Sequence, residues 1–215
     1  MAVVPEADNQ VNLAGTRARA PGAFDDSPRG RVLTAMVEVV ARGGYREATV
    51  DRVLERAHVG WSEFVAMFDD LDACFLATLD AGLGSAAARA EEAAALAGPD
   101  ADVETVFEAA LDAVLSAAAA RPDVTRLCLV DAPALGARAL DRRQLALQRF
   151  VDVLERRLDR PRTRGRATPP GLAAEMVVGG IYEVVQHKAQ AGGIRELPEL
   201  VDELRQLWLP ALRGA

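Results

Sequence analysis

Two histidines, two cysteines, two tryptophans and two tyrosines among 215 residues leave little material for side-chain chemistry. Neither His58 nor His187 has a second metal-ligand type at ligand spacing, so no zinc constellation can be written. A nucleophile-elbow serine, a phosphate-cradling glycine loop and a helix-borne histidine pair are also missing, so no enzyme and no cofactor are expected. Cys74 and Cys128 lie far apart on separate predicted helices with apolar neighbours. They read as buried thiols rather than a bridge, with a redox switch as the alternative. No continuous apolar run of membrane length is apparent, and the start MAVVPEADNQ lacks the charged and apolar regions of a secretory signal. The expectation is therefore a cytoplasmic protein with no membrane partner.

Half of the residues are apolar and the net charge is −7, which suits a folded chain with length for one full domain plus a small one. No internal repeat and no strand alternation can be found, so the chain is expected to be all-α. Asp69, Asp70 and Asp72 could be read as the magnesium site of an all-helical isoprenoid enzyme, since hard cations want several carboxylate oxygens. No second acidic motif stands on a facing helix, however, and acids at a helix N-terminus are favoured by the dipole anyway.

About nine helices are predicted. Residues 1 to 27, with Pro5, Gly15, Pro21 and Gly22, carry no period and read as a flexible tail. Ser27-Pro28 is an N-cap and first-turn pair, and Val32, Leu33, Met36, Val37 and Val40 recur at helical spacing up to Gly43-Gly44. Thr49 stands where an N-cap belongs for a second helix carrying Val50, Val53, Leu54 and Ala57. After His58-Val59-Gly60, a third short helix places Trp61, Phe64, Val65 and Phe68 within roughly 100° of arc. A long Ala-rich fourth helix follows Leu71 and stops at Gly98-Pro99. A fifth starts at Asp102, a sixth runs from Pro122 to Pro133 and a seventh covers Arg138 to Leu158. The loop PRTRGRATPP precedes an eighth helix over Leu172 to Gln190, and a ninth spans Pro198 to Leu209.

Two short helices joined by a tight turn are the geometry that lets the second enter a DNA major groove while the first crosses the backbone. An ordinary αα-hairpin is the alternative. The run from Arg31 to Leu79 resembles the N-terminal domain of the TetR family of bacterial regulators. Gly44-Tyr45, Thr49-Val50, Ala57-His58-Val59, Phe64, Phe68 and Asp72-Ala73-Cys74-Phe75-Leu76 stand at the family's places, over about fifty residues matching in order and spacing. The resemblance implies a helix-turn-helix domain at 28–75 and a ligand-binding and dimerisation domain at 76–215. It also implies a homodimeric transcriptional regulator, most often a repressor, acting on a two-fold symmetric double-stranded DNA operator.

On that resemblance the DNA-binding residues are Arg31, Thr49, Val50, Arg52, Gly60, Trp61, Ser62, Glu63, Val65 and Met67. Trp61 or Met67 would meet thymine methyls, Ser62 either donor or acceptor, and Glu63 cytosine N4. The other reading makes Trp61 and Phe64 core and Glu63 a dipole-favoured acid. The family's turn glycine is His58 here, its phosphate-binding tyrosine is Val65, its helix-four lysine is Leu71, and Asp51 occupies a place that is often basic. Residues 1 to 75 carry eight arginines and no lysine against twelve acids, a balance of −4. Arg29, Arg31, Arg46, Arg52 and Arg56 could still form a local patch, with Arg17 and Arg19 on the tail reaching a minor groove. The competing function is a dimeric ligand-binding or interaction module whose head has lost its grip on DNA.

For the body, the resemblance implies a pocket for a small apolar effector within helices four to seven. Phe107, Leu111, Leu127, Val130, Asp131, Met176 and Tyr182 are the candidate lining, because they combine apolar surface with a few polar tips. Plain core is the other reading of each. The last two helices would pair with their twins through Val177, Gly180, Ile181, Val184, Leu204, Leu207 and Trp208, with packing inside one subunit as the alternative.

Overall fold

A computed structural model describes residues 23–158 and 170–213. The expected tail up to residue 22, with Arg17 and Arg19, and nearly all of the PRTRGRATPP loop lie outside the described residues. Nine α-helices and no strands are present among those described.

Helix α1, Pro28–Gly43, begins where the Ser27 hydroxyl accepts the Gly30 N–H at 3.1 Å, and it ends before Gly44, at φ 73°. A 3-10 turn over Tyr45–Glu47 leads to Thr49, whose hydroxyl caps α2, Val50–Ala57, by accepting the Arg52 N–H. After a three-residue turn comes α3, Trp61–Val65, and then α4, Leu71–Leu96, capped by the Asp70 carboxylate on the Ala73 N–H at 2.6 Å. Helix α5, Val103–Ala120, is capped by Asp102. Then come α6, Pro122–Arg126, α7, Ala137–Leu158, α8, Pro170–Gln190, and α9, Val201–Arg213.

Three stretches depart from the periodicity. The predicted sixth helix is α only to Arg126. It widens into one π turn over Leu127–Asp131 and tightens to 3-10 over Ala132–Leu135, because Pro133 offers no N–H to continue the ladder. The widened turn leaves the Leu129 carbonyl to a side chain, and Gln186 of α8 donates to it at 3.0 Å. The ninth helix, expected to end at Leu209, runs on through Pro210 to Arg213. Leu212 is buried beyond the proline, and Arg213 makes a bidentate pair with Glu104, so the last turn is held. Finally, α4 is long and apolar enough to cross a membrane by length and composition, contrary to the expectation of no such run. It packs instead against α1, α5 and α7, and carries Asp80, Arg89, Glu91 and Glu92.

Two large apolar cores result, with a small third cluster of Ala94, Val106 and Val153 where α4, α5 and α7 meet. The first joins α1, α2 and α3 to the first turns of α4, through Leu33, Met36, Val53, Phe64, Phe75 and Leu79. The second joins α5, α7, α8 and α9 through Phe107, Leu115, Leu154, Val177, Leu197 and Leu212. The division expected between residues 75 and 76 falls inside α4, whose residues as far as Leu79 complete the first core. The π turn also bridges the cores: Leu127 belongs to the first and Leu129 to the second. Along the seam between α4 and α7, Arg138 pairs with Asp72 at 3.4 Å, Arg142 with Asp80 at 2.9 Å, and Arg149 bidentately with Glu91 at 3.0 and 3.1 Å. Exposed pairs of this kind contribute little each, about 0–1 kcal/mol, but three in a row fix the register of the two helices.

Candidate nucleic-acid interface and ligand cavity

The turn between α2 and α3 is made by His58 in the left-handed region, φ 53° and ψ 48°, the position that the family resemblance gives to a glycine. The N–H groups of His58 and Val59 close back on the Leu54 carbonyl, which ends α2 and turns the chain. Glu63 then accepts the Gly60 N–H at 3.0 Å, one half of a capping box, so this acid stabilises the start of α3. Its carboxylate is committed there rather than held out toward a base.

The apolar arc read from sequence divides into two sides. Phe64 and Phe68 are 1% and 5% exposed and anchor α3 to the head, whereas Trp61 and Val65 are 60% and 47% exposed. The Trp61 ring lies nearly parallel to Phe64, 6.2 Å between centroids, with its other face to solvent. Trp61, Ser62, Val65 and Ala66 thus form an outward face, with Thr49 and Arg52 exposed at the start of α2. Met67 does not share this face. It follows the end of α3 and packs, partly buried, on the head core, as does Val50.

The arginines are mostly occupied. Arg31 donates from Nε to the Ala57 carbonyl at 3.2 Å and from Nη1 to the Asp26 carbonyl at 2.9 Å, so it braces α1 against the end of α2 instead of reaching outward. Arg56 pairs with Glu38, Arg52 donates to the Glu47 carbonyl at 2.8 Å, and Arg29 covers the Phe68 ring at 4.8 Å. Arg46, also proposed for the patch, is exposed. Two of the three aspartates considered as a metal site are likewise engaged: Asp70 caps α4, and Asp72 accepts the Tyr45 hydroxyl and pairs with Arg138, while Asp69 is exposed.

A cavity of about 210 Å³ lies within the body, between α4, α5, α7, α8 and the α6 π turn. Of the candidates read from sequence, Phe107, Leu111 and Tyr182 line it. Leu127 does not, because it points into the head core; Val130 packs on the body core away from the cavity. Asp131 also lies off the cavity and pairs with Arg126 at 3.5 Å, its side chain only 12% exposed. Desolvation pushes its carboxyl above the ordinary range, and Arg126 offsets this in part. Met176 is 54% exposed on the outer face of α8. Periodicity alone cannot tell which side of a helix meets the cavity and which meets a neighbour or solvent.

Residues missed in the sequence complete the lining. Phe24, placed in the expected tail, packs its ring under the Arg121 guanidinium at 4.8 Å and closes one end. Cys128 meets Gly82 of α4, where a β-carbon would stand 2.5 Å from the Cys128 Sγ. Arg143 of α7 lies over the Tyr182 ring at 5.1 Å. A signal for Arg143 existed: it occupies the stripe of Ala139, Ala146, Leu147, Phe150 and Leu154, where every neighbour at helical spacing is apolar. Both thiols are buried and pushed up to about 12 by desolvation, as suits core residues.

The residues assigned to dimerisation separate into three groups. Val177 and Leu204 are buried in their own body core, and Ile181 lines the cavity. Gly180 and Trp208 meet each other, since a β-carbon at Gly180 would fall 2.3 Å from the indole. Val184 and Leu207 are exposed, and with Leu172, Met176 and Gly179 they make an uncovered apolar face on α8 and α9.

No protein-family model and no curated protein matches the sequence. Solved structures do. The fatty acid degradation regulator FadR from Bacillus halodurans superposes with a TM-score of 0.73 at 18% identity, covering 87% of this chain and 97% of its own. FadR from Bacillus subtilis, in complex with stearoyl-CoA, gives 0.70 at 16% identity over 86% and 98%. A TetR-like regulator from Rhodococcus sp. RHA1 gives 0.60 at 19% identity over 89% and 99%. Superposing over most of both chains, this chain has the fold of the TetR-type transcriptional regulators.

Proposed function

We propose that the protein is a ligand-responsive transcriptional regulator that acts in the cytoplasm as a homodimer on a two-fold symmetric DNA operator. The observation that carries this reading is α3. A five-residue helix anchored by Phe64 and Phe68 turns a serine, a valine and the outer face of a tryptophan to solvent, which leaves apolar surface uncovered beside polar groups. Trp61 and Val65 suit thymine methyls, and Ser62 suits either base-edge donors or acceptors. The uncovered face of Leu172, Met176, Val184 and Leu207 would bring two copies together and set the spacing of their heads.

Effector response follows from the way the cavity touches the head. Leu127, Cys128 and Leu129 are consecutive: the first belongs to the head core, the second lines the cavity against Gly82 of α4, and the third lines the cavity from the body core. A ligand that displaced this π turn would shift α4 and with it α3. The coupling would equal the difference in ligand affinity between the two arrangements.

The arginine census favours a second reading, an interaction module with a weakened head, because Arg31 and Arg56 are spent inside the head and Asp51 is exposed beside Arg52. Fluorescence anisotropy against the intergenic duplex next to the gene, at two salt concentrations, separates the two. The regulator reading expects sequence-specific binding that weakens steeply with salt, whereas background affinity at both concentrations would favour the interaction module.

A further inference from the structure

Arg143 brings a charge into a cavity that is lined mainly by apolar side chains. No aspartate or glutamate lines the cavity, and its polar edges are Ser85, Thr125, Tyr182, Arg143 and, at the Phe24 end, Arg121. On either side of Arg143 along α7, Arg142 and Arg149 are paired with Asp80 and Glu91, and both of those pairs lie on the α4 seam. Arg143 turns inward instead. Its guanidinium lies against the Tyr182 ring, its Nε is buried with no hydrogen-bond acceptor, and no carboxylate pairs with it among the described residues. A cation that keeps a buried N–H without an acceptor, in a space lined mainly by alanine, leucine, valine and phenylalanine, calls for an anion. The guanidinium fork matches a carboxylate, and the Tyr182 hydroxyl beside it, which burial pushes up and the Arg143 hydrogen bond and charge pull down, is a further donor.

We propose that the cavity binds a small amphiphile with a single carboxylate, seated on Arg143 with its apolar body between α4, α5 and α8. The size argues for a short ligand. At about 210 Å³ it lies below the range of about 300–1,000 Å³ for sites of drug-sized molecules. A coenzyme A thioester like the one bound by the Bacillus subtilis protein exceeds it and brings several negative charges to a cavity that has one inward cation, Arg143, and one at its rim, Arg121. The assignment rests on the reading of this cavity as the effector site, and it concerns binding, not the DNA response.

The test is calorimetric titration of the full chain, without DNA, with octanoate, 1-octanol and octanoyl-CoA. Octanoate should bind more tightly than 1-octanol. Arg143→Gln should weaken octanoate by about tenfold or more, the loss of a charged hydrogen bond, while leaving 1-octanol unchanged, which also reports that the variant is folded. Octanoyl-CoA should bind more weakly than octanoate. The proposal is overturned if octanoate fails to bind, or if 1-octanol binds the unmodified protein as tightly as octanoate does. It is also overturned if Arg121→Gln and not Arg143→Gln abolishes the preference, or if octanoyl-CoA is the tighter ligand. Octanoate that binds as described but leaves DNA affinity unchanged would count against the regulator reading alone.

Discussion

His58 holds the turn before α3 in a conformation that costs an L-residue about 1–2 kcal/mol, while glycine would give back about 0.5–1 kcal/mol in chain entropy. His58→Gly should therefore stabilise the protein by up to about 1 kcal/mol, seen as a later midpoint in urea; an earlier midpoint would mean that the imidazole contributes a contact of its own. Asp131 offers a pH-dependent counterpart. Its carboxyl is held above the ordinary value of 3.8, chiefly by desolvation, so the folded state keeps the proton where the unfolded chain has lost it. The group's contribution is most favourable below about 3.8 and is lost as the pH rises through the raised value. Asp131→Asn, neutral at every pH, should exceed the unmodified protein in stability at pH 7 and converge with it in acid. A gap that instead widened in acid would contradict the assignment. Both thiols sit near 12, so Cys74 and Cys128 should resist a thiol reagent at pH 8 until the chain is unfolded.

Among the elements, α4 and the π turn meet at Gly82. An added β-carbon would lie 2.5 Å from the Cys128 Sγ and 3.0 Å from Val124. Overpacking costs about 1–3 kcal/mol, against about 1 kcal/mol gained from helix propensity. Gly82→Ala should therefore destabilise the protein by about 1 kcal/mol in urea, and Cys128→Ala in the same chain should recover most of the loss. If the second change recovers nothing, the contact is not the seat of the strain. On α3, Val65→Tyr places a hydroxyl on the outward face, where the family resemblance has a phosphate-binding tyrosine. It should raise DNA affinity in the anisotropy titration, and an unchanged value would mean that this face does not approach a backbone. The element order and both head caps were legible in the sequence, because Ser27-Pro28, Thr49 and Gly43-Gly44 are local signals. The π turn was not: Pro133 marked an end, but the acceptor left open at Leu129 is filled by Gln186, 57 residues away.

At the scale of the whole molecule, the uncovered face on α8 and α9 should hold two copies together. Met176→Glu with Leu207→Glu should shift the protein from dimer to monomer in sedimentation equilibrium and remove operator binding with it. A dimer that survived both charges would place the contact elsewhere. The sequence could identify α8 and α9 as amphipathic but not the direction of their stripes. Val177 and Leu204 turned inward, Met176 turned outward, and Ile181 turned to the cavity, since each depends on where α5 and α7 lie. Likewise spacing assigned Arg31 to DNA and left Glu63 divided between a base contact and a dipole-favoured acid, and only packing shows the carbonyls and the N–H that occupy them. The central claim, that α3 enters a major groove from a two-fold assembly, is tested most directly by methylation interference on the bound intergenic duplex, because guanine N7 faces that groove. Interference should fall in two symmetric clusters centred about 10 base pairs apart or a multiple of that spacing. Binding that tolerates guanine N7 methylation throughout, or a single unpaired cluster, would contradict the account.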